Sequence, residues 1–503
     1  MSAHGSAPDD IVDEATIEHL QRGLLAREFS CVALVDAYLE RMARWDKRGP
    51  MLRAVLALNP GARELAADRD AALAAEGRLS GPLHGVVVAL KDNCNTTDMP
   101  TTGGSLSLEG TVPASDSAVS RKLSDAGAIV LAKTNLHEFA LSGTTVSSLG
   151  GQTLNPYDLT RTPGGSSGGS GVATTMSFVT VAIGTDTVNS IRSPASANCL
   201  VGLRPSRGLI SRAGIMPVSE TQDTVGPITR TVSDLARVLD VIAGYDPDDP
   251  VTACSVGRVP ASYCASLNYD ALAGKRVGVL RSLSGDEPRH LAVNTAMTGA
   301  LQVMRDGGAQ VLELHDPCID AAVLLRKGDV QKWEFKQSFE AYLRSLPQND
   351  VRTLGDVLAC GGYHKETLHE FLVQANDIDD PEHDSEYLGR LAAHDRLRDR
   401  VLELMAEHAL DVLAYPLQKC LVVPVGAGGQ AERNGILAAL TGFPALNMPM
   451  GFSEPDDNAP LGVPMGMDLL ARPFDEPLLL GLGYAFEQRT RIRKPPLHTL
   501  WPD

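Results

Sequence analysis

The fold is set by one stretch of the chain, residues 164–192, which reads GGSSGGSGVATTMSFVTVAIGTDTVNSIR. Its apolar run at 178–183 predicts a buried strand, and the residues at 172–176 predict a short helix. Glycine adopts backbone conformations that other residues disfavour and lets other groups approach the main chain closely. We therefore expect two structured loops, 164–170 and 184–192, around this helix and strand.

Two other interpretations of the first loop stay open from its residues alone. A flexible Gly/Ser linker has this composition, although polar sequence should flank a linker and apolar sequence follows here. The other is a phosphate-binding loop, but the loop lacks the Gly-Lys-Ser/Thr ending of that motif, and the chain has no G-x-G-x-x-G.

Strand and helix patterns alternate along the rest of the chain. Strands are expected at 84–90, 128–132, 276–280, 310–314 and 411–415. Helices are expected at 14–25, 32–42, 63–76, 115–126 (capped by Ser115 or Asp116), 233–243, 291–305 and 387–408. Such alternation is typical of an α/β fold in which helices cover both faces of one sheet.

Composition divides the 503-residue chain into four parts. They are an N-terminal helical segment packed on the core (1–75), a core that carries both loops (76–318), a mainly helical insertion or lid (319–409), and a C-terminal part of the same core (410–503). Residues 1–10 have the composition of a disordered start, without the basic and apolar regions of a signal peptide. No run reaches the roughly 18 apolar residues of a membrane span, so we expect a cytoplasmic protein with no membrane partner.

Charge and cysteine usage exclude several classes of protein. A net charge of −17 works against non-specific nucleic-acid binding, which needs a basic surface. The eight cysteines are scattered without a C-x-x-C pair, which indicates reduced thiols and no zinc site. The histidines form no H-E-x-x-H, so we expect no metal site.

Three groups in the sequence could form a serine hydrolase that uses no histidine. A serine nucleophile needs a base, hydrogen-bond donors for an oxyanion, and an acid for the leaving group. Lys91 follows four apolar residues at the end of a predicted strand, and a desolvated lysine can serve as a base. The alternative is a surface lysine that closes a strand.

Ser190 follows a strand and a polar turn, which is a common place for a ligand site in an open α/β sheet. The N–H groups of residues 187–190 could converge into an anion nest. Asp186 and Arg192 could hold this turn as an ion pair. A capped connection from strand to helix is the alternative.

Together these motifs resemble the amidase signature family of serine hydrolases. Lys91 precedes Ser166 by 75 residues, and Ser166 precedes Ser190 by 24, spacings similar to those of the family. The resemblance continues through 194–196, 201–206 and 223–228, strongly over 80–245 and weakly in the flanks. It implies an α/β amidase signature fold, with a large twisted mixed sheet covered by helices on both faces.

The resemblance also implies a role for each residue of the site. Ser190 is the nucleophile, Ser166 the bridging serine after a cis bond from Gly165, and Lys91 the base. Ser167 supports Lys91 by hydrogen bonding. The oxyanion donors are the amides of Thr187, Val188, Asn189 and Ser190, and substrate contacts come from Ser166 and from the loop that carries Ala140.

One departure from the family pattern concerns Val188 and Asn189, where most members have Gly-Gly. A β-branched valine disfavours the left-handed backbone region, so position 188 keeps a negative φ or the turn is rebuilt. We expect these two side chains to lie beside the substrate carbonyl and to influence substrate choice.

The expected activity is hydrolysis of the C–N bond in a small, largely uncharged amide, or in a carbamate as in urethanases, without cofactor or metal. Monomer and homodimer are equally compatible with the sequence. The alternative is a glutaminase similar to those of tRNA-dependent amidotransferases, working with partner subunits, which the acidic charge and the altered loop disfavour. A third interpretation is a catalytically inactive protein that serves as a binding scaffold. The presence of all three triad residues disfavours it.

Overall fold

The structure, a computed structural model, describes residues 11–347, 350–497 and 501. The disordered start expected at residues 1–10 lies outside the described residues, as does the very end of the fourth predicted part. None of the described helices has the length and apolar character needed to cross a membrane.

The strands, in chain order, are β1 Val55–Leu58, β2 Val87–Lys91, β3 Ile129–Thr134, β4 Val146–Ser147, β5 Gly151–Gln152, β6 Val181–Asp186, β7 Val201–Arg204, β8 Thr224–Thr229, β9 Arg276–Leu280, β10 Gln310–Leu314, β11 Val412–Pro416, β12 Ala445–Phe452 and β13 Pro464–Leu470.

The α-helices are α1 Ile17–Ala26, α2 Cys31–Arg41, α3 Ala62–Glu76, α4 Ala118–Asp125, α5 Gly168–Thr175, α6 Arg192–Ala197, α7 Val232–Ile242, α8 Leu291–Asp306, α9 Ala321–Gly328, α10 Gln331–Ser345, α11 Leu354–Cys360, α12 Lys365–Asn376, α13 Ser385–Glu407, α14 Ile436–Thr441 and α15 Glu476–Thr490. A π-helical turn, Met42–Asp46, extends α2. Short 3-10 helices lie at Leu106–Leu108, Glu138–Ala140, Pro250–Ser255, Tyr263–Ser266, Arg281–Leu283, Pro288–His290 and Pro381–His383.

Eleven strands form one sheet in the order β1-β3-β2-β6-β8-β7-β12-β13-β11-β9-β10, and β4 pairs with β5 apart from it. Strands β3, β2 and β6 are parallel, as are β10, β9 and β11. The strands between these two groups pair antiparallel. The sheet is therefore mixed, as predicted.

Strand β2 shows why helices cover both faces. Its side chains alternate, so Val88 and Leu90 join an apolar cluster with α4, α7, α8 and α15, while Val87 and Ala89 join one with α1, α2, α3 and α5. Both faces are apolar, which requires a helical layer on each. Lys91 continues the second face and ends in the interior.

The structure corrects several local predictions. Helix α1 begins at Ile17, α5 at Gly168 and β2 at Val87, where residues 14, 172 and 84 were predicted. Helix α4 begins at Ala118, and its cap is Ser117, whose side chain accepts a hydrogen bond from the N–H of Ser120, so neither Ser115 nor Asp116 is the cap. Strand β6 begins at Val181 and runs to Asp186, where 178–183 was predicted. Gly184 and Asp186 stay in the strand because they pair with β8, a partner that the local sequence does not reveal.

The helices of residues 321–407 lie over two parts of the core. Helices α9 and α13 share an apolar cluster with α14 and with residues of β9 and β11. Helices α10, α11 and α12 share another with Phe139 and Ala140. The second group therefore packs on the loop that follows β3.

Candidate active site

Lys91 is the last residue of β2, and its side chain is 0% exposed. Its Nζ lies 2.7 Å from Ser166 Oγ and 2.8 Å from Thr185 Oγ1, with the Thr185 carbonyl at 3.5 Å. Burial lowers the pKa of Lys91 to about 7, because the ammonium form loses its hydration. A neutral amine is therefore accessible near neutral pH.

The first Gly/Ser loop brings Ser166 to this amine. The Gly165–Ser166 peptide bond is cis, as the resemblance implies. The N–H of His137 donates to the Ser166 carbonyl at 2.9 Å, and the N–H of Ser167 donates to the Ser190 carbonyl at 3.1 Å. The first bond joins the Gly/Ser loop to the loop after β3, and the second joins it to the turn after β6. Among the described residues no hydrogen bond joins the hydroxyls of Ser166 and Ser190 directly.

Ser167 does not contact Lys91 in the way that the sequence analysis expected. Its hydroxyl donates to the Thr185 carbonyl at 3.2 Å and accepts from the Thr185 N–H at 3.4 Å. Besides Ser166, the residue whose hydroxyl reaches Lys91 is Thr185, which also accepts from Asn93 Nδ2 at 3.0 Å. Ser167 therefore orients Thr185, and Thr185 in turn contacts the amine.

The turn 187–190 after β6 is held by its carbonyl groups. The Asp186 carbonyl accepts from Arg204 Nη1 at 2.6 Å, and the Thr187 carbonyl accepts from Gln222 Nε2 at 3.3 Å. The Val188 carbonyl accepts from Arg192 Nη2 at 2.6 Å, and the Asn189 carbonyl accepts from the Ser193 N–H at 2.7 Å.

The N–H groups of this turn consequently point away from the protein interior. In a planar trans peptide the N–H lies opposite the carbonyl of the preceding residue, so the four fixed carbonyls direct the N–H groups of Thr187, Val188, Asn189 and Ser190 to the other side. In the described part of the chain none of these N–H groups has a hydrogen-bond acceptor. Four adjacent free donors form a site for a negatively charged oxygen.

A buried ion network lies beneath the turn. Asp186 pairs with Arg192 at 3.2 Å and with Arg204 at 2.8 Å, and Arg192 also pairs with Asp468 at 2.6 Å. All four side chains are 0% exposed. Burial alone would raise the pKa of Asp186, but the two arginines lower it to about 2. The expected Asp186–Arg192 pair is thus present, within a larger network.

Val188 and Asn189, which were expected to lie beside the substrate carbonyl, are both buried. Val188 does not adopt a positive φ, and its side chain packs in the apolar cluster with Ile436 and Leu437. Asn189 is 1% exposed and packs against Gly435, where an added Cβ would lie 2.5 Å from Asn189 Cβ. Both side chains support the turn from behind.

Ser190 faces the open side of the turn, and its side chain is partly accessible to solvent although the residue is buried overall. The loop from His137 to Thr145, which was predicted to form a wall of the substrate site, has an unusual backbone. Phe139, Ala140 and Thr145 have φ between 53° and 62° there, and the Ala140 N–H donates to the His137 carbonyl at 2.7 Å. This loop contacts the first Gly/Ser loop, because a Cβ at Gly165 would lie 3.0 Å from Gly143 Cα.

Segment 218–223 connects the turn to the helical insertion. Asp223 Oδ1 accepts from the Thr187 hydroxyl at 2.6 Å, and Gln222 Oε1 accepts from the Val330 N–H at 3.0 Å. Glu334 on α10 accepts hydrogen bonds from the hydroxyls of Ser219, Thr221 and Tyr387. Gln222 therefore bridges the turn 187–190 and the start of α10.

His137 also lies near the site, where its N–H donates to the Ser166 carbonyl. Burial lowers the pKa of His137 to about 3, so its imidazole is neutral and a poor base.

Glu287, His290 and Glu432 are the one set of described residues grouped closely enough to hold a metal ion. Arg289 Nη2 lies 3.1 Å from Glu287 and 3.0 Å from Glu432, so a guanidinium already neutralises these carboxylates.

A cavity of about 410 Å³ adjoins Thr185, whose hydroxyl contacts Lys91. Thr185, Ser219 and Asp223 line it, together with Arg207 and Arg212, whereas Ser166 and Ser190 do not.

The sequence predicts Lys91, Ser166 and Ser190 as site residues but does not predict several groups around them. These are Thr185, Asn93, Gln222, Asp223, Arg204, Asp468, Glu334 and Arg433. Thr185, Arg204 and Asp223 lie within stretches already singled out for their resemblance to the family. For the others the sequence carries no local signal, because their partners are far away along the chain.

Comparison with known proteins agrees with this architecture. Residues 33–480 match the family model described as Amidase. The chain is 35% identical to a probable amidase of Arabidopsis thaliana, over 96% of this chain and 92% of that protein. It is 34% identical to one subunit of the glutamyl-tRNA(Gln) amidotransferase of Acidothermus cellulolyticus, over 96% of each chain.

A solved structure also matches nearly the whole chain. The X-ray structure of the peptide amidase from Stenotrophomonas maltophilia superposes with a TM-score of 0.86 at 38% identity, over 96% of this chain and 98% of that one. The predicted fold, a large mixed sheet with helices on both faces, is thereby confirmed.

Proposed function

The chain belongs to the amidase family and is a C–N hydrolase of that family, and we propose that it cleaves small linear amides through a covalent intermediate on Ser190. The proposal assigns Lys91 as the base, Ser166 as the bridging hydroxyl and the N–H groups of residues 187–190 as the oxyanion donors. It requires no cofactor or metal.

The observation that carries the proposal is the 2.7 Å contact between Lys91 Nζ and Ser166 Oγ in a fully buried setting. A charged lysine would be costly there, so the amine is available as a base near neutral pH. A base next to a hydroxyl is the arrangement that nucleophilic catalysis by serine requires.

The first half of the reaction forms an ester. Neutral Lys91 takes the proton of Ser166, and Ser166 takes the proton of Ser190 as Ser190 Oγ attacks the carbonyl carbon. The free N–H groups of the turn stabilise the negative oxygen that develops. When the C–N bond breaks, the same relay returns a proton to the leaving amine, and the acyl group remains on Ser190.

The second half repeats these steps with water. Water loses a proton to the relay and attacks the ester carbonyl, and the new oxyanion occupies the same donors. Collapse of this intermediate releases the acid, and the relay returns the proton to Ser190. Overall one water is consumed, and one acid and one amine are formed.

We also propose that residues 319–409 act as a cover over this site, between a core at 76–318 and its continuation from 410. The contacts of α10, α11 and α12 with Phe139 and Ala140 support this role. So does the bond between Gln222 and the Val330 N–H. In this arrangement Ala140 and Ser166 contact the substrate.

Two substrate classes follow from this chemistry. Amides of short peptides are the first to test, because the similar Stenotrophomonas protein is a peptide amidase. Carbamates are the second class, since Ser190 would attack a carbamate carbonyl with the same groups. We propose that the protein works free-standing in the cytoplasm, as a monomer or homodimer.

Product analysis on a matched pair tests the proposed function. An aryl amide and the corresponding aryl carbamate are incubated with the wild type and with Ser190→Ala. We expect the wild type to release arylamine or phenol and Ser190→Ala to release neither, and the ratio of the two rates gives the preference. Equal cleavage by both proteins would contradict the proposal.

The amidotransferase alternative rests on the 34% identity to the Acidothermus protein. It predicts that glutamine alone is hydrolysed and that activity depends on partner subunits. Glutamine is therefore included among the substrates. Cleavage of glutamine but of neither aryl substrate would favour the alternative.

A further inference from the structure

Arg433 lies beside the candidate active site, on the segment that leads into α14. A Cβ at Gly143 would lie 3.6 Å from Arg433 Nη1, and Gly143 itself packs against Gly165. Two residues further on, Gly435 packs against Asn189. The segment that carries Arg433 thus runs between the 137–145 loop and the oxyanion turn.

The guanidinium of Arg433 has no partner among the described residues. No carboxylate lies within ion-pair distance of it, and none of its nitrogens takes part in a hydrogen bond. The side chain is partly buried, yet its nitrogens are not sealed from solvent. Burial lowers the pKa of Arg433 below its ordinary value, although Asp329 opposes this shift. The group is thus a desolvated cation that a ligand can reach.

The carboxylates nearby are all engaged elsewhere. Asp186 and Asp468 pair with the buried arginines beneath the turn, and Asp223 accepts from Thr187 and from two backbone N–H groups. Glu432, the residue before Arg433, pairs with Arg289 and His290.

Asp329 is the remaining carboxylate that faces Arg433. It accepts hydrogen bonds from the side chain of Gln331 at 2.9 Å and does not reach ion-pair distance of Arg433. Among the described residues, therefore, no carboxylate forms an ion pair with this arginine.

We propose that Arg433 binds a carboxylate of the substrate, so that the preferred amides carry a negatively charged group in addition to the bond that is cleaved. This inference rests on the proposed function and replaces the expectation of a largely uncharged substrate. The planar guanidinium presents paired N–H donors that match the two oxygens of a carboxylate, and such charge-assisted pairs are stronger than neutral hydrogen bonds.

The test uses substrates that differ only in charge. Succinamate is paired with butyramide to place the carboxylate on the acyl side, and N-acetylglycine is paired with N-ethylacetamide to place it on the amine side. In each pair a methyl group replaces the carboxylate. Each is assayed with the wild type, Arg433→Gln and Arg433→Lys. The control variant is Arg281→Gln, which removes the same charge from an arginine that pairs with Glu313 on the sheet edge.

In at least one pair we expect the wild type to prefer the carboxylate member, with Arg433→Gln lowering its kcat/KM about tenfold or more. The neutral member should change less than about threefold, Arg433→Lys should be intermediate, and Arg281→Gln should resemble the wild type. The pair that responds identifies the side on which the carboxylate lies.

Equal losses for charged and neutral members, or no preference in the wild type, would overturn the inference and leave the proposed function intact. Cleavage that persists in Ser190→Ala, or no cleavage of any member, would count against the proposed function instead. The affinities of succinamate and N-acetylglycine for Ser190→Ala and for the double variant with Arg433→Gln are then measured by calorimetry. This measurement tests Arg433 without requiring turnover. Equal affinities would overturn its assignment.

Discussion

At the scale of single residues, Lys91 depends on its surroundings for its chemistry. An exposed lysine stays protonated at neutral pH, whereas burial lowers the pKa of Lys91 to about 7. Only the neutral amine can accept a proton from Ser166. Below this pKa the fraction of neutral amine falls tenfold with each pH unit.

This pKa predicts the pH profile of the enzyme. With a neutral amide as substrate, kcat/KM should rise with a slope of one as pH approaches 7 and level off at higher pH. The measurement is kcat/KM from pH 5 to 10 at constant ionic strength. A pH-independent rate, or a rise that begins only near the ordinary lysine pKa, would contradict a lysine base desolvated by the fold.

The hydroxyl of Thr185 should influence the pKa of Lys91 and therefore the midpoint of this profile. Its hydroxyl lies 2.8 Å from Lys91 Nζ and can accept a hydrogen bond from the ammonium form, which stabilises that form. Thr185→Val should therefore move the midpoint of the rise to lower pH, while Thr185→Ser should leave it near that of the wild type.

The sequence could predict the three proposed catalytic residues because Ser166 and Ser190 lie in loops of unusual composition and Lys91 ends an apolar strand. It could not assign Thr185 as the neighbour of Lys91, since Ser167 is an equally polar choice in the family pattern. Arg433 was not predicted either. Its significance comes from missing partners, and only the folded chain shows which carboxylates are engaged elsewhere.

At the scale of elements, the turn after β6 is shaped by contacts from other parts of the chain. Its carbonyls are held by Arg204, Gln222, Arg192 and the Ser193 N–H. Of these, Gln222 alone also bonds to the start of α10, through the Val330 N–H. We therefore propose that Gln222 is a positioning residue that links α10 to the proposed oxyanion donors.

Replacing this residue should affect catalysis more than binding. Gln222→Leu should lower kcat about tenfold or more while KM changes less than about threefold, because the donors act mainly in the transition state. Steady-state kinetics on the aryl amide measure both constants. Gln337→Leu is the control. Gln337 lies on α10, and its side chain donates to the Asp379 carbonyl, away from the turn. An unchanged kcat, or a rise in KM alone, would disprove this role.

The long helices and the strands with local apolar patterns could be predicted from the sequence. Strands β9 and β10 have the predicted bounds. Helices α7, α8 and α13 differ from their predicted bounds by at most two residues at either end. Strands β12 and β13 were not predicted, although they lie in the middle of the sheet. Proline and glycine interrupt both sequences, and their pairing with each other and with β7 and β11 fixes their conformation.

At the scale of the whole molecule, one continuous sheet brings together residues from distant parts of the chain. Strands β2 and β6 are parallel neighbours, so Lys91 and the turn after Asp186 meet at the same edge of the sheet. The helical insertion then contacts the site from the opposite side, through Val330 and Glu334. Composition alone indicated the helical character of this insertion but not these contacts.

The central claim is that the acyl group is transferred to Ser190, and intact-protein mass spectrometry during turnover tests it most directly. A slowly released aryl N-methylcarbamate is mixed with the enzyme, the reaction is quenched with acid, and the protein is digested to locate any added mass. We predict one carbamoyl group on the peptide that contains Ser190 and none in Ser190→Ala. Undiminished phenol release by Ser190→Ala, or an adduct on another residue, would contradict the account.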